Sequence, residues 1–325
     1  MCTAINYKTK HMYFGRTLDY DISYHEQICI VPRKYPFHFR HRDAIETHYA
    51  IIGMACVMDG YPLFMDGCNE KGLAIAGLNF VGNAYYSKVT KEKENICQFE
   101  LIPYILSFCK NVAEVKARVR KIAIVDTPYS KRLPVASLHY LISDGKDAIT
   151  VEPTKEGIMI YDNPIGVLTN NPSFPFQISN LNNYMGLSNQ NPKNTFSSQI
   201  ELHSISRGMG ALGLPGDLSS PSRFVRASFV KWNSIAKDDE HSSVNQFFHI
   251  LNSVEQQRGC CMVEDQFEIT IYTSCMNLNK GIYYYTTYGN HQITAISLFE
   301  ENLDIDKLIL YKLIKEEQIQ QYNFK

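Results

Sequence analysis

The sequence lacks an excess of charge of either sign: 32 Lys and Arg stand against 33 Asp and Glu, a net of −1. Nucleic-acid binding needs a concentrated surplus of cations, so a nucleic-acid partner is not expected. The short basic stretches Pro32-Arg33-Lys34 and His38–Arg42 read as solvated loops. Long hydrophobic runs are missing as well. The longest, Tyr49–Met58, is too short to span a bilayer, so no membrane association is expected. Residues Met1–Gly15 are polar and lack the apolar core of a signal peptide, which predicts a cytoplasmic protein. There is no Cys-x-x-Cys pair among the nine cysteines, at 2, 29, 56, 68, 97, 109, 260, 261 and 275. An odd set, several in apolar runs, reads as reduced thiols and not as a disulfide frame. His38 and His41 have no neighbouring Cys or His at ligand spacing, so no metal is expected. Internal repeats, low-complexity tracts and charged linkers are absent too.

What is present is a chain of 325 residues, 45% hydrophobic, enough for a large core. Apolar runs at Ala50–Met58, Pro62–Met65 and Gly72–Phe80 predict strands, separated by Asp59-Gly60 and Asp66-Gly67 as turns. Helical spacing of Phe99, Ile102, Ile105 and Leu106, then of Val112, Val115 and Val119, predicts two helices broken near Asn111. A strand meander follows at Leu138–Ser143, Ala148–Glu152, Gly157–Tyr161 and Ile165–Thr169. The segment Ser173–Pro221 is rich in Asn, Ser, Gly and Pro and reads as a long functional loop or assembly arm. One helix should begin with Ser220 as N-cap and Pro221 next, another near Ser242. Strands at Glu268–Cys275, Gly281–Thr287 and Gln292–Phe299 close the chain. This order predicts an α+β fold, with two mostly antiparallel sheets between helical layers.

Cys2 carries the chemical interest. Removal of Met1 would leave Cys2 with a free α-amine, whose unperturbed pKa is about 7.7–8.0. Such an amine can take the proton of its own thiol near neutral pH, and the thiolate can then attack a carbonyl. Nucleophile and base would reside in one residue. In Phe14-Gly15-Arg16-Thr17-Leu18-Asp19, an Arg near Cys2 would favour the thiolate, and an Asp could orient the amine. On spacing alone, the Arg-x-x-Asp pair reads as a surface ion pair worth little.

Met1-Cys2-Thr3-Ala4 and Phe14–Asp19 together resemble the start of the choloylglycine hydrolases. So do Asn69-Glu70-Lys71-Gly72-Leu73, Ala76–Phe80, Gly166–Pro172, Gly213-Leu214-Pro215-Gly216-Asp217, Ser222-Arg223-Phe224, Tyr272–Cys275 and Gly281–Tyr285. The blocks keep family order and cover nearly the whole chain. The resemblance implies a four-layer αββα N-terminal-nucleophile hydrolase sandwich, with residues 1–325 as a single domain. It implies Cys2 as nucleophile, flanked by Arg16 and Asp19. Asn79 and Asn170 are implied as oxyanion donors, and Arg223 as the residue completing the polar network. No cofactor is implied.

Two branches of that family, bile salt hydrolases and penicillin V acylases, set the substrate alternatives. Asn79 in Gly-Leu-Asn is similar to the bile salt branch, where the acylases tend to carry Tyr. A conjugated bile acid needs a broad apolar pocket. The candidate walls are Leu18, Tyr20, Ile22 and Tyr24, then Phe64 and Met65, then Tyr129 and Leu133. Arg207, in Ser206-Arg207-Gly208, is a candidate for reading a taurine sulfonate. The resemblance also implies a homotetramer, with residues 188–220 reaching a neighbour.

Overall fold

The computed structural model describes residues 1–323. Its helices are α1 (Leu101–Phe108), α2 (Val112–Val119), α3 (Phe174–Leu181), α4 (Ser220–Asn233) and α5 (Glu240–Asn252). Two sheets carry the rest of the framework, and every pairing within them is antiparallel. The first has six strands, in the order Val167–Leu168, β1 (Cys2–Lys8), β2 (Met12–Tyr20), Ile269–Asn277, Ile282–Thr287 and Asn290–Ser297. The second has eight, in the order Gly157–Asp162, Ala148–Thr154, Leu138–Ser143, Ala74–Asn79, Tyr61–Asn69, Ile51–Met58, Gln27–Val31 and Ile309–Lys312. Helices α1 and α2 cover the second sheet, and α4 and α5 cover the first. The sheets face one another through β1, β2 and the strands Ala74–Asn79 and Leu138–Ser143. This is the predicted αββα sandwich.

Burial explains the layering. Strand β2 is covered on both faces and buried at every residue from Met12 to Asp19, the polar Arg16, Thr17 and Asp19 included. One cluster, including Ile5, Phe14, Ile52, Leu141 and Phe247, fills the space between the sheets and beneath α4 and α5. A second, including Val31, Ile75, Leu101, Ile105 and Val115, lies under α1 and α2. Gly15 lets β2 lie against its neighbour: a Cβ there would run into the carbonyl of Ser274.

Several boundaries differ from the sequence reading. Asp66-Gly67 is not a turn, because the strand Tyr61–Asn69 runs through it. Asp66 is instead a buried acceptor, taking hydroxyl hydrogen bonds from Tyr272 (2.7 Å) and Tyr283 (2.6 Å). Helix α3 occupies the front of the segment expected to be irregular. The N-cap of α4 is Ser219, and Ser220 is already helical. Helix α5 begins at Glu240, capped by Asp239, which accepts from the Ser242 N–H at 2.8 Å.

Candidate active site

Strand pairing assembles the site before any side chain is considered. In the β1–β2 register Cys2 lies opposite Leu18, Thr3 opposite Thr17 and Ala4 opposite Arg16. On the other side of β1, Leu168 pairs with Ala4, so the chain leaves that strand at Thr169-Asn170 beside Cys2. Helix α4 crosses β1 and brings Arg223 down from the outer layer.

Cys2 is 4% exposed. Its backbone N–H donates to Asn170 Oδ1 at 2.8 Å. Arg223 clamps the same point. Its Nη1 donates to the Cys2 carbonyl (2.5 Å) and to Thr3 Oγ1 (2.7 Å), its Nη2 to Asn170 Oδ1 (2.7 Å) and its Nε to the Leu218 carbonyl (2.9 Å). A guanidinium with its donors spread over fixed acceptors is a rigid strut. Burial pulls the Arg223 pKa below its ordinary value, and the charges of Asp19 and Cys2 act against that fall.

Arg16 is fully buried between the sheets. Its Nε donates to the Thr17 carbonyl (3.1 Å) and its Nη1 to the carbonyls of Met65 (3.3 Å) and Gly77. Nη2 has no hydrogen-bond partner among the described residues. Burial alone works against the Arg16 charge, yet Cys2 and the neighbouring acids hold its pKa above the usual value. Arg16 is therefore a cation felt by the Cys2 thiol, with one N–H nitrogen uncommitted.

Asp19 is also fully buried, and accepts from Thr17 Oγ1 (3.1 Å) and Thr270 Oγ1 (2.6 Å). Desolvation raises its pKa, opposed by Arg223, by the chain's α-amine and by those two hydroxyls. The Met1 amine sits in the same pocket, donating to the Asp19 carbonyl at 2.6 Å and pairing with buried Glu268. Burial lowers the pKa of that amine.

Asn79 ends the strand Ala74–Asn79, where its carbonyl accepts from Asn170 Nδ2 at 2.8 Å. Its own side-chain amide makes no hydrogen bond among the described residues, which leaves it free to donate to a ligand. Asn170 is tied on every side: its backbone N–H donates to Ser220 Oγ (2.8 Å), and its carbonyl accepts from Gln177 Nε2 (3.4 Å). The structure therefore brings together Cys2, Arg16, Asp19, Asn79, Asn170 and Arg223.

The apolar candidates divide. Leu18 is buried opposite Cys2. Tyr20 packs on Tyr24 at 5.4 Å between ring centroids, and burial, with Tyr20, Asp21 and Cys2 adding, pushes the Tyr24 phenol up. Ile22 on the same loop is 53% exposed. Met65 packs on the inter-sheet core next to Arg16, whereas Phe64 points the opposite way, into the core under α1 and α2. Tyr129 meets Phe99 edge-on at 5.3 Å and donates to the Met58 carbonyl at 2.8 Å. Leu133 lies in the adjoining turn, half-buried. Arg207 is exposed and makes no hydrogen bond or ion pair among the described residues.

Sequence reasoning missed the residues that support these groups: Thr3, Thr17, Thr270, Ser220, Gln177 and Glu268. Small hydroxyls and a Gln carry no spacing signal, and their meaning appears only when strands distant in sequence are neighbours.

A family model for linear amide C–N hydrolases, the choloylglycine hydrolase family, matches residues 2–311. The chain belongs to the choloylglycine hydrolase family. Among its relatives, this choloylglycine hydrolase-family chain is 54% identical to a bile salt hydrolase/transferase of Lactiplantibacillus plantarum, over 98% of both chains. A conjugated bile acid hydrolase of Clostridium perfringens, solved in a mutant form, superposes with a TM-score of 0.92 at 40% identity, over 99% of this chain and all of the other. Penicillin V acylase from Agrobacterium tumefaciens shares the fold at a TM-score of 0.76 and 19% identity, over 96% of this chain and 91% of the other.

Proposed function

We propose that this chain hydrolyses the amide joining a bile acid to glycine or taurine, through a thioester on Cys2. The observation that carries the reading is the Cys2 N–H held at 2.8 Å from Asn170 Oδ1, with Arg223 on both partners. Once Met1 is removed, that nitrogen is the α-amine. Asn170 Oδ1 then orients its hydrogens and directs its lone pair, while Asp19 and Thr270 fix the pocket around it. The amine accepts the thiol proton, and the sulfur attacks the amide carbon. The Asn79 amide, free of other partners, donates to the oxygen as it gains charge. One such donor is typically worth about 2.7–4 kcal/mol of barrier. The amine returns its proton to the departing nitrogen, and glycine or taurine leaves. Water, deprotonated by the same amine, then cleaves the thioester. No metal or cofactor is required by these steps.

The bile acid substrate is supported by the names of the similar proteins and by Asn79. Glycocholate and penicillin V offered to one preparation separate this reading from the acylase one. Faster hydrolysis of glycocholate is expected, and faster hydrolysis of penicillin V would replace the reading. A finer element is that Arg207 favours taurine conjugates by donating to the sulfonate. Arg207→Gly is expected to lower kcat/KM for taurocholate over glycocholate by roughly tenfold, the scale of a lost charge-assisted hydrogen bond. Equal loss for both would remove that element.

We also infer a homotetramer of single-domain chains, held partly by residues 188–220. Phe196, Ile200, Leu202 and Ile205 of that segment are exposed, and apolar exposure of this kind marks an interaction surface. A monomer in light scattering would remove the assembly.

A further inference from the structure

Two residues outside the site are built as if to control it. His139 and Glu152 lie on neighbouring strands of the second sheet, and both side chains are wholly buried. His139 Nε2 is 2.8 Å from the Thr169 carbonyl, and Nδ1 is 3.0 Å from Glu152 Oε1. A carbonyl can only accept, so Nε2 carries hydrogen. The ring's other nitrogen, Nδ1, makes its second contact with Glu152 Oε1. Glu152 Oε1 also accepts from the Phe174 N–H at 2.9 Å, which anchors the start of α3. The imidazole stacks face to face on Phe80, 4.2 Å away and 7° from parallel.

These contacts reach the residues adjoining Asn79, whose amide is the free donor, and Asn170, whose donors are committed to Asn79 and Ser220 and whose Oδ1 holds the Cys2 N–H rather than serving as the expected oxyanion donor. Phe80 follows Asn79 in sequence, and Thr169 precedes Asn170. Asn79 belongs to the second sheet, while Thr169-Asn170 leaves the first. The ring is thus a bond across the seam between the sheets at the point where Cys2 stands. An isolated buried ring with such partners is ordinarily a structural fixture. Contact with both Asn neighbours at once is what points to the chemistry.

We propose that the buried His139–Glu152 pair is a positioning device that fixes Asn170 against Asn79 and Cys2. This rests on the Cys2 reading above. A shift of about 1 Å in a catalytic group can cost roughly a hundredfold in rate, so such a tie has a kinetic consequence that bulk stability does not report.

The test uses the full chain with glycocholate as substrate and the aldehyde of cholic acid as probe. The aldehyde adds to a thiol and leaves its oxygen where the Asn79 amide would donate to it. Wild-type turnover, and its loss in Cys2→Ser, check the underlying reading separately. His139→Phe keeps the stacking on Phe80 and removes the bond to Thr169. It is expected to lower kcat at least tenfold with KM within about threefold, and to weaken the aldehyde by a similar factor. Combined with Asn79→Ala, it should cost much less than it does alone, because the two act through one group. Should His139→Phe not fold, Glu152→Gln carries the test. It removes the negative charge facing Nδ1 while keeping the side chain's shape, and kcat should fall at least fivefold with thermal midpoint within a few degrees. Unchanged kcat in the folded variant, or fully additive losses with Asn79→Ala, would overturn the proposal.

Discussion

At the scale of single residues, the question is what distinguishes Cys2 from the other eight cysteines. Burial pushes the Cys109 thiol up to about 11 and the Cys68 thiol to about 12, and Cys29 and Cys275 rise in the same way. Such groups are inert toward alkylation. Cys2 instead has Arg16 beside it, with an uncommitted guanidinium nitrogen. The true competitor is Cys260, which is exposed on the surface. Limiting iodoacetamide is therefore expected to modify Cys2 first, and a conjugated bile acid should protect Cys2 while leaving Cys260 as reactive as before. Peptide mapping that finds Cys260 first, with no protection of Cys2, would contradict the electrostatic account.

At the scale of elements, helix α4 matters most, because Arg223 is placed by its first turn. Asp217 secures that turn: it accepts from the Ser219 N–H (2.9 Å) and from Ser222 Oγ (2.5 Å). Hydrogen bonding from the Ser219 side chain first, then from the Ser222 hydroxyl and the Ser219 N–H, lowers the Asp217 pKa to about 2. An unfolded chain would show an ordinary value near 3.9. The stabilisation is thus fully present above about pH 4 and is lost as pH falls through 2. Asp217 is largely exposed, so solvent screening leaves roughly 0.5–1 kcal/mol. Urea unfolding should show Asp217→Asn less stable by that margin at pH 6, with the gap shrinking toward pH 3. A gap that is constant with pH would mean that the charge of Asp217 does not hold the helix.

The same scale shows what could be read in advance. Helices α1 and α2 were legible because their apolar residues recur at helical spacing and Asn111 caps the second, accepting from the Glu114 N–H at 2.9 Å. Asp66-Gly67 misled because a turn signal describes a local preference. Here Tyr272 and Tyr283, more than two hundred residues away, satisfy the carboxylate inside a strand. Helix α3 was hidden by its Asn and Ser, since its packing against α4 outweighs their weak propensity. Cys2, Arg16 and Asp19 were legible through resemblance, whereas the His139–Glu152 tie had no signal in either spacing or motif.

For the whole molecule, the architecture explains why so little surface is needed for the chemistry. Two sheets stacked face to face hold Cys2 at their seam, and each contributes part of the site: β1, β2 and the Thr169-Asn170 exit from one, Asn79 from the other, with Arg223 from the helical layer above. The central claim is that one thiol at the seam performs amide hydrolysis on conjugated bile acids. The most direct measurement is release of glycine and taurine from glycocholate and taurocholate by the wild type and by Cys2→Ser, side by side. The account predicts steady release by the wild type and none above background from a Cys2→Ser protein of near-native stability. Turnover by Cys2→Ser at the wild-type rate, or no release by the wild type from either conjugate, would contradict it.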